Sequence, residues 1–392
     1  MKLVFFDYVF EPDKPGITGL SDLVWVWAKN LIAMGHEVHI VAPYPNGAQP
    51  PEGTIVHRYD LPPLGHRNVL GHILVALKGW REIRKIDGAD IIQAPEYLST
   101  GIFALLSRRT PVVLKVPGNI YERIAHGNPF DWSVTQVLKV MARLSARFCA
   151  AVIVTSEEMR WWWGRTGTPP ENMVLIPDGV DVDRFHPMPD ARERLGWTDG
   201  QRPVLYVGRL SHEKGVQHLM EALPAVRDHV PGVRLHLLGE GPHKRQLQEL
   251  IGRLGLEEQV VFHGWVDQPQ LPLYYSGAEV TVLPSFSEGL PRVMMEALAC
   301  GSVFLGTRIT GIIDHIEDEK TGYLVEPGDP EGLAARLVDI LTNPSAAARV
   351  ARQGYAYVSE HLSAQHAARL MYERVFLPLT QGKPIYQADP VA

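Results

Sequence analysis

Short, nearly all-apolar runs alternate with longer segments of helical period along almost the whole chain. In the first half, strand-length runs fall at residues 2–7, 37–42, 55–59, 90–93, 112–116, 151–155 and 173–176. In the second half they fall at residues 204–207, 234–238, 260–263, 280–283, 302–305 and 322–325. Strands apolar on both faces predict parallel sheets covered by helices on each side. The polar, proline-rich stretch His186-Pro187-Met188-Pro189 separates the two sets. The predicted fold class is therefore α/β, with two Rossmann-like, doubly wound domains whose parallel sheets face each other across a cleft. The expected domains are residues 1–188 and 189–365, with a C-terminal helix over about 366–392 packing back on the first. In such sheets ligands bind at the carboxyl ends of the strands.

Composition narrows the function classes. A chain of 392 residues suits two domains rather than one. A net charge of −6 gives no support to a nucleic-acid partner. Two cysteines, Cys149 and Cys300, supply neither a disulfide framework nor a metal spacing, which favours a reducing compartment. The apolar run Leu3-Val4-Phe5-Phe6 is too short for a signal peptide. No apolar stretch reaches the ~18 residues that a membrane span needs. A cytoplasmic protein is expected, attached at most to a membrane face.

Candidate chemistry concentrates in the second half. Glu288 and Glu296 lie in Ser287-Glu288-Gly289-Leu290-Pro291-Arg292-Val293-Met294-Met295-Glu296-Ala297. Pro291 reads as the first residue of a helix, which puts Glu288 in the preceding loop and Glu296 inside the helix. Carboxylates accept from sugar hydroxyls. Free N–H groups at a helix start suit a diphosphate. A ligand with both hydroxyls and phosphates is a nucleotide sugar. The plainer reading makes Glu288 a helix-start acid and Glu296 a solvated helical residue. Against that, Glu296 has Met294, Met295, Ala297 and Leu298 as neighbours.

Upstream, Tyr206-Val207-Gly208-Arg209-Leu210-Ser211-His212-Glu213-Lys214-Gly215 leaves a strand and enters a helix. Arg209 and Lys214 flank its turn and can neutralise a diphosphate, one by a bidentate fork and one as a point charge. Taken alone, they read as two solvated loop charges. Near the N-terminus, Gly19 in Thr18-Gly19-Leu20 precedes a helix expected over residues 23–34 and could let backbone approach a phosphate; ordinary turn chemistry accounts for it equally well. Asp181-Val182-Asp183 has the form of a metal clamp but sits in a turn before the proposed linker, so no metal is assigned. Arg81, Arg84 and Lys85 form one basic group, and Lys139, Arg143 and Arg147 share a helical face. Both read first as solvated faces and second as contacts for anionic lipid or an anionic acceptor. The run Trp161-Trp162-Trp163 cannot bury all three rings in one core, so an exposed ring is expected there.

These motifs together resemble the retaining family-4 glycosyltransferases of GT-B architecture. The resemblance rests on Val207-Gly208-Arg209 with Lys214-Gly215, Leu238-Gly239-Glu240-Gly241-Pro242, His263-Gly264-Trp265-Val266, Ser287 to Glu296, and Ala299-Cys300-Gly301. Pro177-Asp178-Gly179-Val180-Asp181 also matches, with Asp178 where asparagine is usual. The resemblance implies that Arg209 and Lys214 hold the donor diphosphate and Glu296 the ribose. It implies that Glu288 and the backbone of Gly289, Leu290 and Pro291 hold the donor sugar, with Gly208 and Gly19 near the phosphates and Gly264 to Val266 near the base. Catalysis is implied to need no cofactor and no metal. The first half departs from the pattern: Thr18-Gly19 replaces a glycine pair, and Pro117 follows the fifth strand where a histidine is common. Glu96, Lys115 or Asn119 are candidates for the acceptor side.

Three readings follow. The first is a retaining glycosyltransferase moving a hexose from a nucleotide sugar, UDP favoured, to a glycan, lipid-linked or small-molecule hydroxyl, as in cell-envelope polysaccharide synthesis. The second is a catalytically silent nucleotide-sugar-binding subunit. The third is an epimerase or phosphorylase of the same architecture. The expected partners are the donor, an acceptor and peripheral membrane, with no nucleic acid.

Overall fold

The computed structural model describes residues 1–7, 19–43, 50–60, 69–95, 97–116, 140, 142–165, 167–198 and 200–385. The chain forms two units: Met1–Asp178 with Ala364–Ala392, and Gly179–Ser363.

The first unit holds a seven-stranded parallel sheet in the order β3-β2-β1-β4-β5-β6-β7. The strands are β1 Lys2–Phe6, β2 Glu37–Ala42, β3 Ile55–Arg58, β4 Ile91–Ala94, β5 Val112–Lys115, β6 Ala151–Val154 and β7 Met173–Leu175. All lie within a residue or two of the runs read from the sequence. Val4 sits between His39 of β2 and Ile92 of β4, which fixes the register at the sheet's centre. Side chains alternate between faces. Leu3 and Phe5 pack with Trp27, Leu31 and Phe376 on one side. Val4 and Phe6 pack with Val75, Ala76 and Phe103 on the other. The helix Gly19–Ala33 starts four residues earlier than expected. It closes where Gly35 takes φ 85° and His36 N–H bonds back to Leu31 at 3.1 Å.

The second unit holds a six-stranded parallel sheet in the order β10-β9-β8-β11-β12-β13. Its strands are β8 Arg202–Val207, β9 Val233–Leu238, β10 Val260–Gly264, β11 Val280–Leu283, β12 Val303–Thr307 and β13 Tyr323–Val325. The strand order reverses between β8 and β11, which opens a crevice at their carboxyl ends.

Two expectations shift. The units divide at 178/179, not at 188/189. The reason is packing: Val180 and Phe185 enter the second unit's core, and Phe185 lies 6.2 Å from the Tyr275 ring. The Pro-rich stretch is also tied to that unit, with Met188 N–H bonded to Ser276 Oγ at 3.1 Å. Pro291 is not the first helical residue. Its ψ of 118° is extended, and the helix is Arg292–Ala299. Proline fixes φ but leaves ψ free, so Pro291 caps the helix from outside, its carbonyl accepting from Met294 N–H at 3.1 Å.

Candidate functional site

The crevice between β8 and β11 is walled by two loops, residues 208–215 and 284–291. Backbone contacts lock them together. Phe286 N–H donates to the Glu213 carbonyl at 3.0 Å. Gly215 has φ 66°, and a Cβ there would lie 1.9 Å from the Pro284 carbonyl oxygen, so only glycine fits. This lock brings residues 74 positions apart into contact: Lys214 Nζ lies 2.7 Å from Glu288 Oε1. Ser285 Oγ donates to the same oxygen at 2.7 Å. The pair is half-buried, with the side chains 23% and 12% exposed. A charged donor and a charged acceptor are thus presented side by side at the mouth of the crevice.

Arg209 lies on the same loop as Lys214. Its backbone carbonyl is held by Tyr206 Oη at 2.9 Å, while its guanidinium is 67% exposed and 3.1 Å from Glu213. An exposed pair of this kind holds its partners weakly, so the Arg209 fork is available to an incoming anion. Burial pushes the Glu213 carboxyl up, but the Ser211 hydroxyl, the backbone, Arg209 and Lys214 outweigh it and hold the group below the usual range. Arg209 is paired with Glu213 at 3.1 Å and Lys214 with Glu288 at 2.7 Å, so the two cations of this loop sit on different carboxylates.

Glu296 lies on the helix Arg292–Ala299 and is buried, at 4% exposure. Tyr275 Oη donates to its Oε2 at 2.9 Å, and Arg292 Nε lies 3.4 Å from Oε1. Burial, then the Glu296 charge, pushes the Tyr275 phenol well above its ordinary range, so it remains a donor. Tyr275→Phe should destabilise the protein by about 1.5–3 kcal/mol, because a buried carboxylate loses a charge-assisted bond. Urea unfolding checks this; an unchanged midpoint would mean that Glu296 is satisfied without Tyr275.

The remaining second-unit candidates cluster on neighbouring loops. Gly208 follows β8 directly. Gly264 ends β10, and its carbonyl accepts from Gly239 N–H at 2.7 Å. Val266 packs half-buried against the core, beside an exposed Trp265. Gly289 meets the turn after β12: with Gly311 at φ 85°, a Cβ there would be 1.8 Å from the Gly289 carbonyl oxygen. That contact presses the Gly289-Leu290-Pro291 segment into the loop array.

In the first unit, Gly19 opens the helix that follows β1. Glu96 and Asn119 lie outside the described residues, as do Thr18 and Pro117. Lys115 is buried at the end of β5. Its ammonium is 2.8 Å from Asp178 Oδ1 and 3.1 Å from the Ile176 carbonyl, and 5.4 Å above the Trp27 ring. Trp27 Nε1–H in turn donates to the Asp178 carbonyl at 2.9 Å. Lys115 is thus committed to a structural ion pair. In the Asp181-Val182-Asp183 turn, the Asp181 carboxylate accepts from Asp183 N–H at 3.1 Å.

Sequence reasoning missed Ser285, Ser211, Glu213 and Tyr275. Ser285 stands three residues before Glu288 and was legible as a local partner. Tyr275 carries no sequence signal toward Glu296, because only packing of the Leu271–Gly277 helix on the Arg292–Ala299 helix brings them together.

Comparison with known proteins places the chain in a family and a fold. Residues 187–357 match the family described as glycosyl transferases group 1, and residues 17–184 match glycosyltransferase family 4. A GDP-mannose-dependent alpha-(1-6)-phosphatidylinositol monomannoside mannosyltransferase of Mycolicibacterium smegmatis is 33% identical over 239 residues. That match covers 58% of this chain and 63% of the relative's own length. Among solved structures, a sucrose-phosphate synthase from Thermosynechococcus elongatus superposes with a TM-score of 0.81 at 22% identity, covering 97% of this chain and 100% of that one. Anabaena HepE, solved in complex with UDP-glucose, gives 0.72 at 22% identity, covering 95% and 98%.

Proposed function

Because the chain belongs to the family-4, group 1 glycosyltransferases and has their GT-B fold, we propose that it transfers a hexose-type sugar from a nucleotide-sugar donor to an acceptor hydroxyl with retention of configuration. The observation that carries this reading is the Lys214–Glu288 pair at 2.7 Å, locked at the strand-order reversal with Arg209 on the same loop. A donor needs a cationic pocket for its diphosphate and an acceptor group for its sugar hydroxyls, and this arrangement offers both. The diphosphate displaces Lys214 Nζ and the Arg209 fork from their carboxylates. Glu288, freed of its cation but still bonded to Ser285, then accepts from the sugar.

In the chemical step the bond from the anomeric carbon to the diphosphate oxygen breaks, and a bond to the acceptor oxygen forms on the same face. The acceptor proton passes to the departing diphosphate. The developing negative charge is met by Lys214 and Arg209, so the rate comes from electrostatic stabilisation and positioning. The Ser287 to Pro291 loop favours a uridine donor. A guanosine donor is the second reading, motivated by the GDP-mannose-dependent relative.

Thermal-shift titrations of the full chain with UDP- and GDP-sugars test donor choice, since a ligand that binds only the folded state raises its melting temperature. Product analysis with the stabilising donor separates transfer from silent binding or epimerisation: transferred sugar supports the proposal, and unchanged or isomerised donor sinks it. Two fixed cations can do the work of a divalent ion, so turnover should persist in excess chelator. Loss of turnover, restored by magnesium or manganese, would refute this.

A further inference from the structure

Two histidines on β9 and β10 form a pair that the sugar-transfer reading leaves unused. His236 Nδ1 lies 2.9 Å from His263 Nε2. His236 is buried, and the Trp197 ring lies 4.2 Å from its own. The Tyr274 ring stands edge-on to His263 at 5.2 Å. Burial, then the neighbouring His263 and Arg234, pulls His236 down to about 4, and burial lowers His263 as well. Both rings are therefore neutral at pH 7, and the bond between them has one donor and one acceptor. Among the described residues nothing meets His236 Nε2. Buried acceptors go unpaired more readily than buried N–H groups. Nδ1 therefore carries the His236 proton, and His263 Nε2 accepts from it.

Two desolvated imidazoles and an unpaired nitrogen cost stability that an apolar pair would not. What this pair holds is a bulge. Along β10, Val260, Val261 and Phe262 pair with Leu235, His236 and Leu237, but Leu238, the next residue of β9, meets Gly264. His263 is the extra residue, and its ring is pinned to β9 by the bond to His236. Bulges in parallel pairs are rare, and a bulge re-aims the backbone around it. Here Gly264, at φ 71°, turns its carbonyl to accept from Gly239 N–H at 2.7 Å. A Cβ on Gly239 would lie 1.9 Å from the Gly208 carbonyl oxygen, so these two backbones touch. Gly208 precedes Arg209. Leu210 follows it, donating its N–H to the Glu240 carbonyl at 3.0 Å and accepting from His243 N–H at 2.9 Å. The backbone on both sides of Arg209 thus rests on the end of β9, and the end of β9 rests on the bulge. Lys214 is fastened separately, through Gly215 against Pro284 and Phe286 against Glu213. The first unit also pairs two histidines, His39 and His57 at 2.8 Å, but Glu37 takes the second nitrogen of His39 and that ladder runs without a shift.

We propose that His236 and His263 are positioning residues for the donor diphosphate: bonded to each other, they hold the bulge whose backbone sets where Arg209 stands. The proposal rests on the sugar-transfer reading for the role of Arg209. Without the bond, Gly264 and then Gly239 lose the fixed placement against which Gly208 packs. A displacement of about an ångström there is enough to spoil a two-bond fork on a diphosphate.

The test is calorimetric titration of the full chain with UDP and with GDP, well below the melting temperature of each variant. His263→Leu is expected to weaken nucleotide binding about fivefold or more, whereas His263→Gln, whose amide reaches the place of Nε2, should stay within about twofold of the parent. Should the leucine protein not fold, His263→Asn takes its place, since its amide ends one methylene short of His236. In an Arg209→Ala background the same replacement should lose less than about twofold, because the residue it positions is gone. His57→Leu, in the first unit's pair, should leave nucleotide affinity unchanged. Parent-like affinity in folded His263→Leu or His263→Asn protein overturns the proposal and leaves the donor reading standing. So do equal losses with and without Arg209, no rescue by glutamine, or an equal loss in His57→Leu. Binding of neither nucleotide by the parent overturns both.

Discussion

Replacing Lys214 by alanine is expected to lower kcat/KM for sugar transfer by roughly 30- to 1000-fold, or about 2–4 kcal/mol of transition-state stabilisation. The loss should fall mainly on kcat, because the ammonium meets charge that builds on the diphosphate only as the glycosidic bond breaks. The fold should survive. Glu288 would keep the Ser285 hydroxyl at 2.7 Å, and its side chain is 12% exposed, so water can reach the carboxylate when the ammonium is gone. Arg209→Ala should cost less, because a 67%-exposed guanidinium acts through more solvent. Single-turnover kinetics with saturating donor checks the assignment. Full turnover by a normally folded Lys214→Ala protein would remove the diphosphate role from this residue.

The second large effect is on stability. Asp178→Ala is expected to cost about 3–5 kcal/mol, because it leaves the Lys115 ammonium, 2% exposed, without its counter-charge. The remaining partners are the Ile176 carbonyl at 3.1 Å and the Trp27 ring, neither of which carries a full charge. Lys115→Met should cost less. It leaves Asp178, which is 18% exposed and can be hydrated in part. Combining Lys115→Met with Asp178→Ala should recover a good part of the loss, since no buried charge is then left alone. Urea midpoints of the four proteins form the cycle. Equal costs for both single changes, or strict additivity in the double, would mean that the pair is not coupled.

The strands were legible because each is an apolar run of the length that a covered parallel sheet requires. Helix starts and domain edges were less so. Pro291 shows why: its ring constrains φ but not ψ, and the ψ of 118° leaves it outside the helix. The boundary near 188 failed for a related reason. Proline and polar residues signal irregular backbone, but irregular backbone can belong to either unit, and the burial of Val180 and Phe185 decided which.

The site divides along the same line. Residue types and local spacing made Arg209, Lys214, Glu288 and Glu296 candidates, and the family resemblance supplied the roles expected of them. That Lys214 and Glu288 meet at 2.7 Å was beyond local spacing, since contact across 74 positions depends on β8 and β11 being neighbours in the sheet. The same holds for Glu296, whose partner Tyr275 comes from another helix, and for Lys115, an acceptor-side candidate by type and a buried, ion-paired charge by position. Sequence by itself determined which segments are strands and helices and which charged residues are candidates for the site, because composition and periodicity are local properties. Only the tertiary structure decided which charges pair, because strand order and side-chain burial arise from packing between segments far apart in the chain.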